Sequence, residues 1–165
     1  MSPPREPSYY AATLRRETDF PALEGEIDAD VAIVGGGFTG VAAAVELAER
    51  GRRVVLVEAK KVGWGATGRN GGQVTGSLSG DAAMTRQLSR TLGSEAEAFV
   101  WDLRWRGHAI IESRVARYGI ACDLKHGHMQ AALKPAHLTD LRAMQAEGEA
   151  RGMGADLTFV AKADM

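Results

Sequence analysis

Residues 31–57 read VAIVGGGFTGVAAAVELAERGRRVVLV: two four-residue apolar runs separated by a glycine triplet and an alanine-rich stretch. Short β-branched runs of this kind, bounded by Asp30 and Gly35 on one side and by Arg53 and Glu58 on the other, suit strands buried on both faces of a parallel sheet. Between them Val41, Ala44, Val45 and Ala48 recur at helical spacing, and the alanines at 42–44 keep that helix slim. Gly51 follows as its stop, with Arg50 and Arg52 placed against the negative end of the helix dipole. Strand, helix and strand in this order make one βαβ unit, whose crossover is expected to be right-handed. The fold class is therefore α/β, with a Rossmann-like unit at its start.

Gly35, Gly37 and Gly40 form G-x-G-x-x-G at the join between the first strand and the helix. The first glycine allows the tight turn, the second lets a diphosphate approach without meeting a Cβ, and the third lets the helix lie close to the sheet. The N–H groups of Phe38, Thr39 and their neighbours then face an anion, aided by the positive end of the helix dipole. Glu58 lies 18 residues beyond Gly40, at the carboxyl end of the second strand, where a carboxylate accepts hydrogen bonds from an adenosine ribose. The same charge repels a 2′-phosphate, so NADP is disfavoured although Lys60 and Lys61 follow.

A nicotinamide-dependent dehydrogenase would continue from the second strand into an ordinary helix. Here residues 62–76 read VGWGATGRNGGQVTG, with glycines at 63, 65, 68, 71, 72 and 76. Such a loop is costly to order, so it is expected to wrap something. Arg69 can offset diphosphate charge or negative charge on a reduced flavin, Asn70 can hydrogen-bond, and bare backbone at Gly71 and Gly72 can lie against a flat ring. Trp64 is expected to anchor the loop, with contact to the flavin as the alternative, since its loop should reach that ring.

Residues 1–28 carry four of the five prolines and read as an irregular arm that Tyr9, Tyr10 and Phe20 could pin to the fold. Residues 29–76 are the βαβ unit with its second glycine loop, and a largely helical segment follows within 77–165. Helices are expected over 81–92, from a Ser94/Glu97 capping box to Gly119, and from Pro135 to about Arg151. The long one presents Phe99, Val100, Leu103, Ile110, Ile111, Val115 and Tyr118 as its buried stripe, with Trp101 and Trp105 packing along it. A hairpin around Gly127 is expected over 122–133, and residues 157–160 look like a strand at which the chain stops as if cut.

The net charge of −1, with both signs interspersed, favours neither nucleic acid nor an anionic membrane. Cys122 stands alone, and no leader or long apolar run appears, so the expected compartment is the cytoplasm. His126, His128, His137 and Cys122 are not expected to form a metal site, since spacing alone does not supply ligand geometry. No G-x-S-x-G elbow, H-E-x-x-H pair or phosphate-loop lysine is present, and no residue here is nominated as catalytic.

Three segments, SYYAAT at 8–13, FPALEGEIDADVAIVGGGFTG at 20–40 and VEAKKVGWGATGRNGGQV at 57–74, closely resemble the FAD-dependent amine and amino-acid oxidoreductases of the D-amino-acid oxidase and glycine oxidase type, nearest their gamma-glutamylputrescine oxidoreductase branch. A looser likeness continues through CDLKHGHMQAAL to the end, with His126 where relatives often have proline. The resemblance implies FAD as cofactor, its diphosphate over Gly35, Gly37, Phe38, Thr39 and Gly40, its ribose at Glu58 and Ala59, and its flavin end wrapped by Ala66, Thr67, Arg69, Asn70, Gly71 and Gly72. Thr67 stands where the family commonly has serine and keeps the hydroxyl. By the same resemblance the whole enzyme takes hydride from the carbon bearing the amine of a small-molecule amine or amino acid, and this chain is its N-terminal part, with 77–165 ending in the incomplete start of a mixed α+β substrate domain. An NAD-binding module, or a truncated piece inactive alone, are the alternatives.

Overall fold

The computed structural model describes residues 8–15, 20–75 and 81–164, in two compact units, Met1–Cys122 and Asp123–Met165. The first unit opens with a single helical turn, α1 (Tyr9–Ala12), inside the stretch expected to be irregular. It is closed at both ends by its own side chains: Ser8 Oγ accepts from the N–H of Ala11 (3.1 Å), and Thr13 Oγ1 donates to the carbonyl of Tyr9 (2.8 Å). Tyr10 is half-buried, whereas Tyr9, edge to face with Tyr10, and Phe20 are 76% and 71% exposed.

The βαβ unit follows: β1 (Val31–Val34), α2 (Phe38–Glu49) and β2 (Val54–Val57), the strands paired in parallel with Val31 opposite Val54 and Val34 opposite Val57. The ladder is locked where it begins and where it ends. Asp30 accepts from the backbone N–H of Arg53 (2.9 Å) and from its guanidinium (3.0 Å), and Gly35 N donates to the carbonyl of Val57 (2.8 Å). Burial of β1 alternates, with Val31 and Ile33 partly covered and Val34 87% exposed, so the expectation of a strand buried on both faces is not met. The cause is the sheet's extent: among the described residues it has two strands, and α2 packs on both.

Beyond the second glycine loop come α3 (Asp81–Leu92) and α4 (Ala96–Tyr118), which pack on each other across a 3-10 turn at Gly93–Glu95. That turn displaces the expected capping box: the residue before α4 is Glu95, already helical in φ and ψ, and no side chain caps the helix start. Gly119, left-handed at φ 58°, ends α4 where expected, and Ile120 N closes the turn on the carbonyl of Val115 (3.0 Å). The stripe on α4 is only partly covered, since Val100 and Ala96 are the fully buried apolar residues of the described chain while Phe99, Leu103, Ile110, Ile111 and Tyr118 stay exposed. Trp101 and Trp105 stack edge to face along the helix, with His108 next in line. Arg114 on α4 reaches Glu46 (2.7 Å) and Glu49 (2.6 Å) on α2, and the Tyr118 hydroxyl donates to Glu49 (2.8 Å), tying α4 to the helix of the βαβ unit.

The second unit holds α5 (Pro135–Ala150), with Pro135 in its first turn and Leu157 packed against the bare Cα of Gly148. Arg142 stacks on the Phe159 ring at 3.5 Å. No hairpin forms over 122–133, and 157–160 forms no strand, although Leu157 itself is extended. A two-stranded ribbon is marginal without a further strand or helix to cover its face, and no third strand meets these residues among those described. His137, weighed as a metal ligand, uses Nδ1 to accept from the N–H of Leu133 (3.3 Å). No helix of the described chain is long and apolar enough to cross a membrane.

Candidate functional site

The join between β1 and α2 is the start of the site. The first intrahelical bond of α2 runs from Val41 N to the carbonyl of Gly37 (2.9 Å), so the N–H groups ahead of it lie outside the helical ladder. Gly37, at the capping position, has no side chain to satisfy them. Gly35 makes the bend at φ 101°, a conformation that side chains with a Cβ rarely adopt. A Cβ on Gly40 would strike the carbonyl of Gly35 and crowd Ile33 (3.3 Å), so the third glycine is where helix and strand come closest.

The second loop folds back onto this join. Gly63 N donates to the carbonyl of Gly36 (2.9 Å), and Thr67, in a 3-10 turn at Ala66–Arg69, accepts the N–H of Phe38 on its hydroxyl oxygen (3.0 Å). Phe38 N–H is therefore occupied from the neighbouring loop, where the sequence led us to expect it free. The hydroxyl that receives it keeps its own hydrogen to donate onward. Between the two loops lies an open cleft of about 580 Å³ lined by Val34, Gly35, Gly37, Phe38, Thr39, Gly40, Ala66, Thr67 and Asn70.

Of the expected residues, Glu58, Ala59, Arg69, Gly71 and Gly72 do not line that cleft. Glu58, at the end of β2, accepts from Gly36 N (2.7 Å) on one oxygen and from Lys60 N (2.9 Å) on the other. These N–H groups, that of Gly36 foremost and that of Ala59 least, hold its carboxyl below the ordinary glutamate value against an opposing desolvation. Each oxygen retains a further lone pair for a hydroxyl donor. Arg69 turns inward: its Nη1 donates to the carbonyls of Trp64 and of Gly65 (3.1 Å), and its guanidinium lies 5.2 Å from the Trp64 ring centre. Asn70 bridges its own loop, donating to the carbonyl of Thr67 (2.6 Å) and accepting from Gly72 N (2.8 Å). The bare Cα of Gly72 faces the phenol of Tyr10. Gly76 lies outside the described residues.

Sequence reasoning missed two connections, the Thr67–Phe38 bridge and the docking of α1 on the 3-10 turn. The second had a signal, since Ser8 and Thr13 bracket four residues of good helical character with capping groups.

The glycine join, the exposed first turn and the carboxylate behind them fit a dinucleotide: main chain walls the part of the cleft that a diphosphate would enter, and a Cβ at Gly37 would come within 3.2 Å of Thr67 Oγ1. The chain matches the family described as FAD dependent oxidoreductase (DAO) over residues 30–164. It is similar to the gamma-glutamylputrescine oxidoreductase of Escherichia coli (strain K12), 37% identical over 145 residues that cover 88% of this chain and 33% of that protein. It is also similar to the "Probable oxidoreductase OrdL" of Haemophilus influenzae, 35% identical over 140 residues, covering 85% of this chain and 32% of the relative. A second protein of that name, from Rhizobium meliloti (strain 1021), is 33% identical over 135 residues, 82% of this chain and 31% of that one. The chain thus spans about a third of the length of these relatives. No solved structure matches it. The family match runs from Asp30, which clamps the start of the parallel ladder, across both glycine loops to Asp164, and the chain belongs to the FAD-dependent oxidoreductase family.

Proposed function

We propose that this chain is the cofactor-holding, N-terminal part of a flavoenzyme that oxidises a carbon–nitrogen bond in a small amine or amino acid. The observation that carries the reading is the shared cleft: main chain of the first glycine loop and the Ala66–Asn70 segment of the second wall the same space. When bound, FAD supplies the acceptor for a hydride from the carbon bearing the amine, and the resulting imine is hydrolysed by water.

The chain's own residues bind and orient. The first turn of α2 receives the diphosphate on the N–H groups of Gly37, Thr39 and Gly40, and Thr67, whose hydroxyl oxygen holds the Phe38 N–H, extends that seat with its own hydroxyl hydrogen. Glu58 accepts from the adenosine ribose on the lone pairs its backbone partners leave open. Arg69, satisfied within its loop, fixes the path of the chain from Trp64 to Asn70 and stations a positive charge beside the flavin end. The substrate class rests on the name of the Escherichia coli relative, which makes gamma-glutamylputrescine the first compound to try. A cytoplasmic setting suits that chemistry.

The test is a spectrum and a titration. The full-length protein is expected to purify yellow, or to gain flavin absorbance with added FAD, and to take up FAD in preference to NADH. A colourless protein that binds NADH and ignores FAD would show the βαβ unit to be a nicotinamide module.

A further inference from the structure

The second glycine loop meets both the cleft and the chain's own beginning. Ala66, Thr67 and Asn70 face the cleft. The short helix α1 packs against the same 3-10 turn, and none of its residues lines the cleft. A Cβ at Gly72 would collide with the Tyr10 hydroxyl and come within 3.2 Å of the ring carbon that bears it, while a Cβ at Gly68 would lie 3.7 Å from Ser8 Oγ. Gly72, at φ 67°, is bare on the side where the phenol rests, so the missing side chain makes room for Tyr10.

The cleft and the Tyr10 contact are linked by Asn70, which lines the cleft and holds Thr67 and Gly72 through its amide. A displacement of Gly72 is thereby carried to the residues that meet the ligand. Resting on the flavin reading above, we propose that Tyr10 is a positioning residue for the cofactor, and that docking of α1 prepares the 66–72 turn in its ligand-ready shape before FAD arrives. A glycine-rich turn left free would have to be ordered during binding, at the expense of affinity. Tyr9, the neighbouring aromatic on the same turn, is exposed and meets the Tyr10 ring edge to face, so its removal is the control for that ring contact alone.

The experiment compares Tyr10→Ala, Tyr10→Phe and Tyr9→Ala with the parent in the full-length protein. FAD affinity is read by flavin fluorescence, and amide hydrogen exchange is read across residues 63–75 of the apoprotein. Tyr10→Ala is expected to weaken FAD binding about tenfold or more and to speed exchange in the turn by a similar factor, because preparation of the loop is lost. Tyr10→Phe, which keeps the ring over Gly72, is expected to stay within about threefold of the parent, and Tyr9→Ala to match it. Parent-like binding and exchange in Tyr10→Ala would overturn the proposal. So would an unfolded Tyr10→Ala apoprotein, which would make the arm a support of the whole unit. A parent that takes up no FAD would remove the flavin reading and this inference together; a parent that binds FAD beside an unaltered Tyr10→Ala removes the inference alone.

Discussion

At Gly37 the wall of the cleft is main chain, with Thr67 Oγ1 only 3.2 Å from where a Cβ would stand. Gly37→Val therefore forces atoms into the space assigned to the diphosphate and into the hydroxyl that bridges the loops. A cost of about 2–3 kcal/mol is expected, or roughly 30- to 150-fold in FAD affinity, read by equilibrium titration. Thr67→Val keeps the shape and removes the acceptor for Phe38 N–H. The loss of one hydrogen bond, about 1 kcal/mol, predicts roughly fivefold weaker binding, and an unchanged affinity would disprove the relay. Glu58 sets a pH dependence. Its folded pKa lies below the ordinary 4.5, so its contribution to folding is complete above 4.5 and lost as pH falls through the lower folded value. In acid unfolding monitored by circular dichroism, Glu58→Gln should flatten that part of the profile. Gly35, Gly37, Gly40 and Glu58 could be picked out by spacing, because a turn that must admit main chain to a diphosphate restricts residue type locally, whereas Thr67 came only through the family resemblance. Arg69 could not be placed in the same way: a guanidinium with nearby carbonyls satisfies itself at short range, and its sequence neighbours do not reveal in which direction it turns.

Secondary elements followed from sequence where their causes are local. Both strands begin and end where the β-branched runs do, because Asp30 and Arg53 clamp one end and Gly35 bends away at the other. The stops at Gly51, Gly119 and Gly152 follow from single left-handed residues. Gly119→Ala tests this: an alanine held at φ 58° is expected to cost about 1–2 kcal/mol in chemical denaturation of the FAD-loaded protein, with little change in FAD affinity because the residue is remote from the cleft. The capping box at Ser94 failed for a reason local patterns do not contain. The turn from α3 runs directly into α4, so no residue takes the extended conformation that a capping side chain needs. The hairpin at 122–133 failed likewise, since alternation describes a strand but does not provide its neighbour.

Across the molecule, few side chains are fully enclosed: Ala96 and Val100 are the buried apolar residues of the described chain, and no polar ones join them. Apolar side chains lie open in both units, Val34, Phe38 and Phe99 in the first, and Met129, Leu133 and Met144 in the second. Parallel strands with uncovered faces and edges are prone to pair with other chains. Expressed as 165 residues, the chain is therefore expected to self-associate, seen as a mass above that of the monomer by light scattering and as strong binding of a hydrophobic dye. The effect of FAD should be partial. Val34 and Phe38 line the cleft and would be covered by the ligand, whereas Phe99, Met129 and Leu133 do not line it and would stay accessible. Saturating FAD should thus reduce dye binding without abolishing it and leave the association largely in place. A dispersed, dye-free monomer in the absence of FAD would show that these apolar side chains find cover within the chain itself.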